Sequence, residues 1–260
     1  MFIVFRGILT LGDKDQTSGE LIIDNADAAI DTLIGVFDEG ILNIHKGATI
    51  RNSGSKSGAI KNVGSVINID GGSITNCKEV AISNYDSGII NMISGEISAA
   101  SEDNDNSAGI RNFSDNTVNI SGGIISGFNG DMSCGIINEG IINLSGGIIS
   151  ENTYSIVNMN KLYMSQNPYI PVGSDNTNGV YLYDYDPIIL KDDLGLSDDN
   201  QILILTDEIY VDDKILTGDE DTIINYCDNF ILPDSNYGIS EWGTIKYIGE
   251  PIVYYVDANY

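Results

Sequence analysis

Through the middle of the chain, apolar and polar residues alternate in short runs broken by glycine and asparagine. The stretch GIINEGIINLSGGIIS, Gly135 to Ser150, shows the pattern at its cleanest. Such β-branched runs have the period of two that predicts strands and lack the 3.6 period of an amphipathic helix. The stretch is also one copy among several. Its first half recurs as AIKN (Ala59–Asn62), AISN (Ala81–Asn84), GIRN (Gly109–Asn112) and SIVN (Ser155–Asn158). Its second half recurs around Asn43, Asn68, Asn91, Asn119 and Asn143, which lie 23 to 28 residues apart. Copies at that spacing predict a solenoid.

Leucine-rich repeats have a similar length but need leucine at fixed offsets and a helical half, and leucine is scarce here. Short strands joined by tight corners, with the GG pair supplying a backbone shape that residues with a Cβ resist, predict coils of a parallel β-helix. Coils would stack about 4.8 Å apart, so equivalent residues form columns along the axis. In G-I-x-N the Ile and Asn share a side, which predicts an inward column of Ile60, Ile82, Ile110, Ile136 and Ile156. Asn62, Asn84, Asn112, Asn138 and Asn158 would form a corner column whose amides bond one another and the turn backbone. In the second half the parity is opposite. Ile67, Ile69, Ile90, Met92, Val118, Ile120, Ile142 and Leu144 face inward, leaving Asn68, Asn91, Asn119 and Asn143 outward.

Beside that outward column run Ile41, Val66, Ile89, Thr117 and Ile141. A strip of that kind is either a contact face or the seat of the loop Ser98–Gly109 or of a neighbouring domain. Ile89, Ile141 and the four outward asparagines are therefore candidate binding residues. From Tyr169 onward the composition shifts, with 11 of the 14 tyrosines and the only tryptophan. Short strands are expected at GVYLYDYD, PIILK, QILILT, EIYV and GTIKYIG, forming an irregular β cap over the open sheet edges. There Tyr181, Tyr183 and Tyr185 would face outward, where they either stack on sugar rings or serve only as good strand formers. The expected organisation is an N-terminal cap over 1–32, coils over 33–167, the cap or irregular final coils over 168–250, and a linker or following domain from 251 to 260.

Charge narrows the partners. Thirty-eight acids against 12 lysines and arginines give a net charge of −26. Nucleic acid and anionic membrane surfaces both need a basic footprint, so neither is an expected partner. No run approaches the length a membrane helix needs, so no membrane insertion is expected. Cys77, Cys134 and Cys227 have neither zinc-site nor disulfide-framework spacing, and the single His45 cannot build a histidine metal site alone. The N-terminus is not a good secretory signal, which favours a fragment of a longer secreted protein with further domains.

The GIxN and φNIxGGxI coils, followed by NTNGVYLYDYDPIIL and ILPDSNYGISEWGTIKYI, resemble right-handed parallel β-helix repeat proteins on the surface of Gram-positive anaerobes. The resemblance implies an all-β, pectate-lyase-like β-solenoid, an extracellular or cell-surface location, and an adhesin or rigid-stalk role with polysaccharide or host surface protein as partner. The same fold resembles that of pectate lyases, polygalacturonases and tailspike glycosidases, which makes a polysaccharide lyase or glycoside hydrolase the alternative. Against it, no paired-Asp, histidine and basic motif set occurs. Arg111 does occupy the outward position of GIRN above Lys61 of AIKN, so these two, with Tyr181 and Tyr183, form a second candidate binding set. A retaining glycosidase needs only two carboxylates about 5 Å apart, which no chain this acidic excludes. Catalysis is not expected, and no cofactor is. Two acidic turns place oxygens at alternate positions before a glycine, so Asp13, Asp15, Asp103 and Asp105 are weak calcium candidates, with solvated turns as the favoured reading.

Overall fold

The computed structural model describes residues 1–15, 20–25, 32–54, 56–100, 105–197 and 199–249. Asp103 and the 251–260 segment lie outside the described residues, as does the side chain of Tyr185. The fold is all-β, with half of the chain in strands, wound as a parallel β-solenoid of about eight turns. No helix among the described residues is long and apolar enough to cross a membrane.

Each central coil contributes three strand segments, as in Cys134–Asn138, Ile141–Leu144 and Ile148–Ser150. Equivalent segments stack in parallel, giving two long sheets. The first sheet carries the G-I-x-N segments and runs from Phe2–Phe5 to Phe230–Ile231. The second carries the φ-φ-N-φ segments, from Ile8–Leu11 to Leu216–Gly218, with the third segments paired alongside. The sheets thus begin within residues 1–32 and continue into 168–250.

Register follows the repeat residue for residue. Ile60 pairs with Ile82, Ile82 with Ile110, Ile110 with Ile136 and Ile136 with Ile156, and all five are fully buried. Ile67, Ile90, Val118 and Ile142 form the opposing column in the second sheet, also fully buried. An isoleucine buried from all sides contributes about 1.5–3 kcal/mol, so the two columns supply much of the hydrophobic stabilisation. Glycine matters at two kinds of place. Gly123 and Gly147, the second glycines of the GG pairs, take positive φ values of 89° and 84°. At Gly140 a Cβ would lie 2.5 Å from the Asn116 carbonyl oxygen and 2.8 Å from the Asn112 amide nitrogen, so only glycine lets the corner close.

The C-terminal coils depart from simple alternation. The expected strand GVYLYDYD stops at Leu182, and Tyr183–Tyr185 is a single 3₁₀ turn with Asp184 at φ 52°. Tyr181 faces outward between buried Val180 and Leu182, but Tyr183 projects from a turn and Asp184 is exposed. EIYV forms no strand; the next paired segment is Leu216–Gly218. A short helix, Glu220–Tyr226, and an antiparallel pair, Tyr237–Ile239 with Ile245–Tyr247, close this end. A further asparagine corner holds these coils. Asn152 donates to Asn178 at 3.2 Å, and Asn229 donates to the Ser197 and Asn200 carbonyls at 2.8 and 3.0 Å. Each of Asn178, Asn200 and Asn229 immediately precedes or nearly precedes a strand, a signal the GIxN motif had overshadowed.

Candidate functional site

The outward asparagines form one continuous ladder. Asn68 donates to Asn43, Asn91 to Asn68, Asn119 to Asn91 and Asn143 to Asn119, at 2.9, 2.9, 2.8 and 2.8 Å. Asn43 donates to the Thr10 hydroxyl at 3.2 Å. The ladder ends where Tyr163 takes the next place beside Asn143. Each amide spends one N–H and one lone pair on its neighbours and keeps the other of each for solvent. Beside it Ile41, Val66, Ile89, Thr117 and Ile141 stand in register, followed by Lys161. Ile89 is exposed and the other four are half-buried.

The second candidate set divides. Lys61 lies over the Tyr85 ring, 5.1 Å from its centroid, and Tyr85 stacks on Phe113 at 4.3 Å. Arg111, Tyr181 and Tyr183 instead meet in one groove on the outer face of the first sheet, of about 440 Å³. From the Arg111 coil onward the x position of G-I-x-N lies on the outer side, so Arg111, Ile137, Val157 and Tyr181 form a column of successive neighbours. Cys134 and Tyr154 border it on one side, Met159 and Tyr183 on the other, and Asp207 closes the far end. Five coils therefore contribute, and the column from Arg111 to the coil of Asp207 covers four steps, about 19 Å.

Tyr154 and Tyr181 meet edge to face at 5.6 Å. The Tyr181 hydroxyl donates to the Asp207 carboxylate. Burial, then that bond to a carboxylate, pushes the Tyr181 hydroxyl well above the usual phenol range, so it stays a donor. Cys134 is buried and its thiol is pushed up to about 12 by desolvation, with the Arg111 charge pulling weakly the other way. It is a wall, not a nucleophile. Such a groove can stack planar rings on tyrosine, accept hydroxyls at Asp207 and offer an anion the fork of Arg111.

Tyr154, Asp207, Val157 and Met159 were missed from sequence. Val157 is the x residue of SIVN and was available by parity; Tyr154 and Asp207 enter from strand ends whose register appears only once coils stack. The calcium candidates are dispersed. Asp13 accepts the Asp15 backbone N–H at 3.1 Å, and Asp105 accepts that of Asp131 at 2.9 Å. No cluster of three acidic, histidine or cysteine residues able to hold a metal occurs among the described residues. No family model, curated protein or solved structure matches the chain.

Proposed function

We propose that this chain is an extracellular binding module of a bacterial surface protein, a stiff rod that engages an extended glycan along the Arg111–Asp207 groove. The observation that carries this reading is the groove itself. Three tyrosines, one arginine and one carboxylate from four coils line a single elongated surface. Rigid aromatic rings contribute contact area at little entropic cost, and a linear ligand can meet several coils at once. The outer asparagine ladder and its apolar strip serve as a stiff flank, their amides already paired.

A catalytic β-helix is the competing reading. A glycosidase of the two-carboxylate type would need a second acid within reach of Asp207; the described lining of the groove offers Asp207 alone. A glycan array, followed by a reducing-sugar assay on each bound glycan, tests both. Binding that Tyr183→Ala weakens by about tenfold, the loss of one ring contact, supports the module. Sugar release by the chain would replace it with the enzyme.

A further inference from the structure

Arg111 differs from the other two arginines. Arg6 pairs with Asp38, and Arg51 with Asp24. Among the described residues Arg111 has neither an ion pair nor a hydrogen bond, although it is half-buried. Its column neighbours are Ser83, itself buried, and Ile137. Acids outnumber cations by 26 in this chain, yet among the described residues none forms an ion pair with this guanidinium. A fork of five donors that no protein acceptor among the described residues takes up is open to an acceptor on a ligand. The partner that fits the planar fork is a carboxylate held by two parallel bonds.

The rest of the groove limits how many carboxylates the ligand carries. Asp207 marks the far end, about 19 Å away, roughly two Debye lengths at physiological salt, so a carboxylate on Arg111 does not feel it. A second carboxylate on a ring near Tyr181 would. The surroundings add to this. Residues 79–260 hold 29 acids and five cations, a net −24, whereas residues 1–78 hold nine acids and seven cations, a net −2. Resting on the glycan reading above, we propose that the groove selects a sparsely acidic glycan. One sugar acid docks on Arg111, and neutral rings continue over Tyr154 and Tyr181 toward Asp207.

Calorimetry on the full chain tests this with three sets of oligosaccharides matched in length and linkage: neutral, carrying one terminal hexuronic acid, and acidic on every ring. The singly acidic set should bind about tenfold tighter than the neutral one, the worth of one charge-assisted contact. The fully acidic set should bind more weakly than the singly acidic set. Arg111→Gln should erase the preference for the singly acidic set over the neutral one, and Arg111→Lys should restore only part of it. Equal affinity for neutral and singly acidic sets overturns the inference and leaves the glycan module standing. No binding by any set overturns the module itself. Arg111-dependent binding of a carboxylate-bearing peptide in place of all three would reassign the ligand class. Tyr183→Ala, which should weaken neutral and singly acidic ligands alike, confirms that both occupy this groove; loss of only one overturns the shared site.

Discussion

The molecule contains two columns of five asparagines, and they are built alike and placed oppositely. The inner column, Asn62 to Asn158, is fully buried, with amide–amide bonds of 2.8 to 2.9 Å. The outer column, Asn43 to Asn143, has bonds of the same length but is half-exposed. What separates them is the second N–H. In the inner column it reaches turn carbonyls, those of Ser65, Gly88, Asn116, Lys161 and Asn160. In the outer column it faces solvent. One column closes the corner between the sheets; the other decorates a face already held by its strands. A hydrogen bond of one length thus has two energetic meanings, decided by whether water can replace it.

The largest effect that bears on this contrast is expected at Asn112. Asn112→Ala would strand one N–H of the Asn84 amide in the interior and remove the bond to the Asn138 side-chain oxygen, costing about 3 kcal/mol. Urea unfolding reads the loss, and thiol labelling reads its location. Cys134 begins the next strand and its thiol is pushed up to about 12. Labelling at mildly alkaline pH should therefore be slow in the parent protein and about a hundredfold faster in Asn112→Ala. An unchanged midpoint would dissolve the contrast.

Next in size is coupling. A double-mutant cycle of Asn84 and Asn112 should return about 1–2 kcal/mol, and one of Asn91 and Asn119 under about 0.5 kcal/mol. Equal couplings would mean that the outer bonds also matter to stability. Asn119→Ala alone should cost only about 0.5 kcal/mol, since water takes over both neighbours. The smallest effect is expected where the strand Val66–Cys77 leaves the outer face. There Lys14, and secondarily Ser94, hold the Asp70 carboxyl below its ordinary value of 3.8. A lowered folded-state value contributes stability above the ordinary value and loses it as pH falls through the folded one. Lys14→Met should thus lower the urea midpoint slightly near neutral pH and not at all in strong acid. Exposure keeps the difference small. A difference that grows in acid would reverse the sign.

The columns were legible in sequence because each coil repeats the same constraint. Ile60 and Ile136 solve one packing problem, and Asn62 and Asn138 one capping problem, so the pattern is written five times. Even the inner column's limits are sequence-encoded: Val36 stands before Asn62 and Leu182 after Asn158 in the same register. That substitution leaves the Asn62 carbonyl oxygen buried without a donor. The groove was only half legible. Arg111, Tyr181 and Tyr183 were singled out by residue type, while Lys61, two coils before Arg111, belongs to Tyr85. Asp207 and Tyr154 appear once in the chain's pattern, and single occurrences carry no period. The alternation of YLYDYD reads as a strand, yet Asp184 in the left-handed region turns it away after Leu182.

The free side of the outer ladder leaves the direction of its bonds open. Reverse every amide from Asn43 to Asn143 and all four neighbour bonds re-form; only the Thr10 hydroxyl must change from acceptor to donor. The inner column has no such freedom, because its turn carbonyls accept and never donate. The outer face is therefore a row of five amides whose neighbour bonds can run in either sense. A single reversed amide would place two donors or two acceptors face to face. Solvent at the free N–H and lone pair of each amide can bridge such a mismatch, so both senses can coexist within one column.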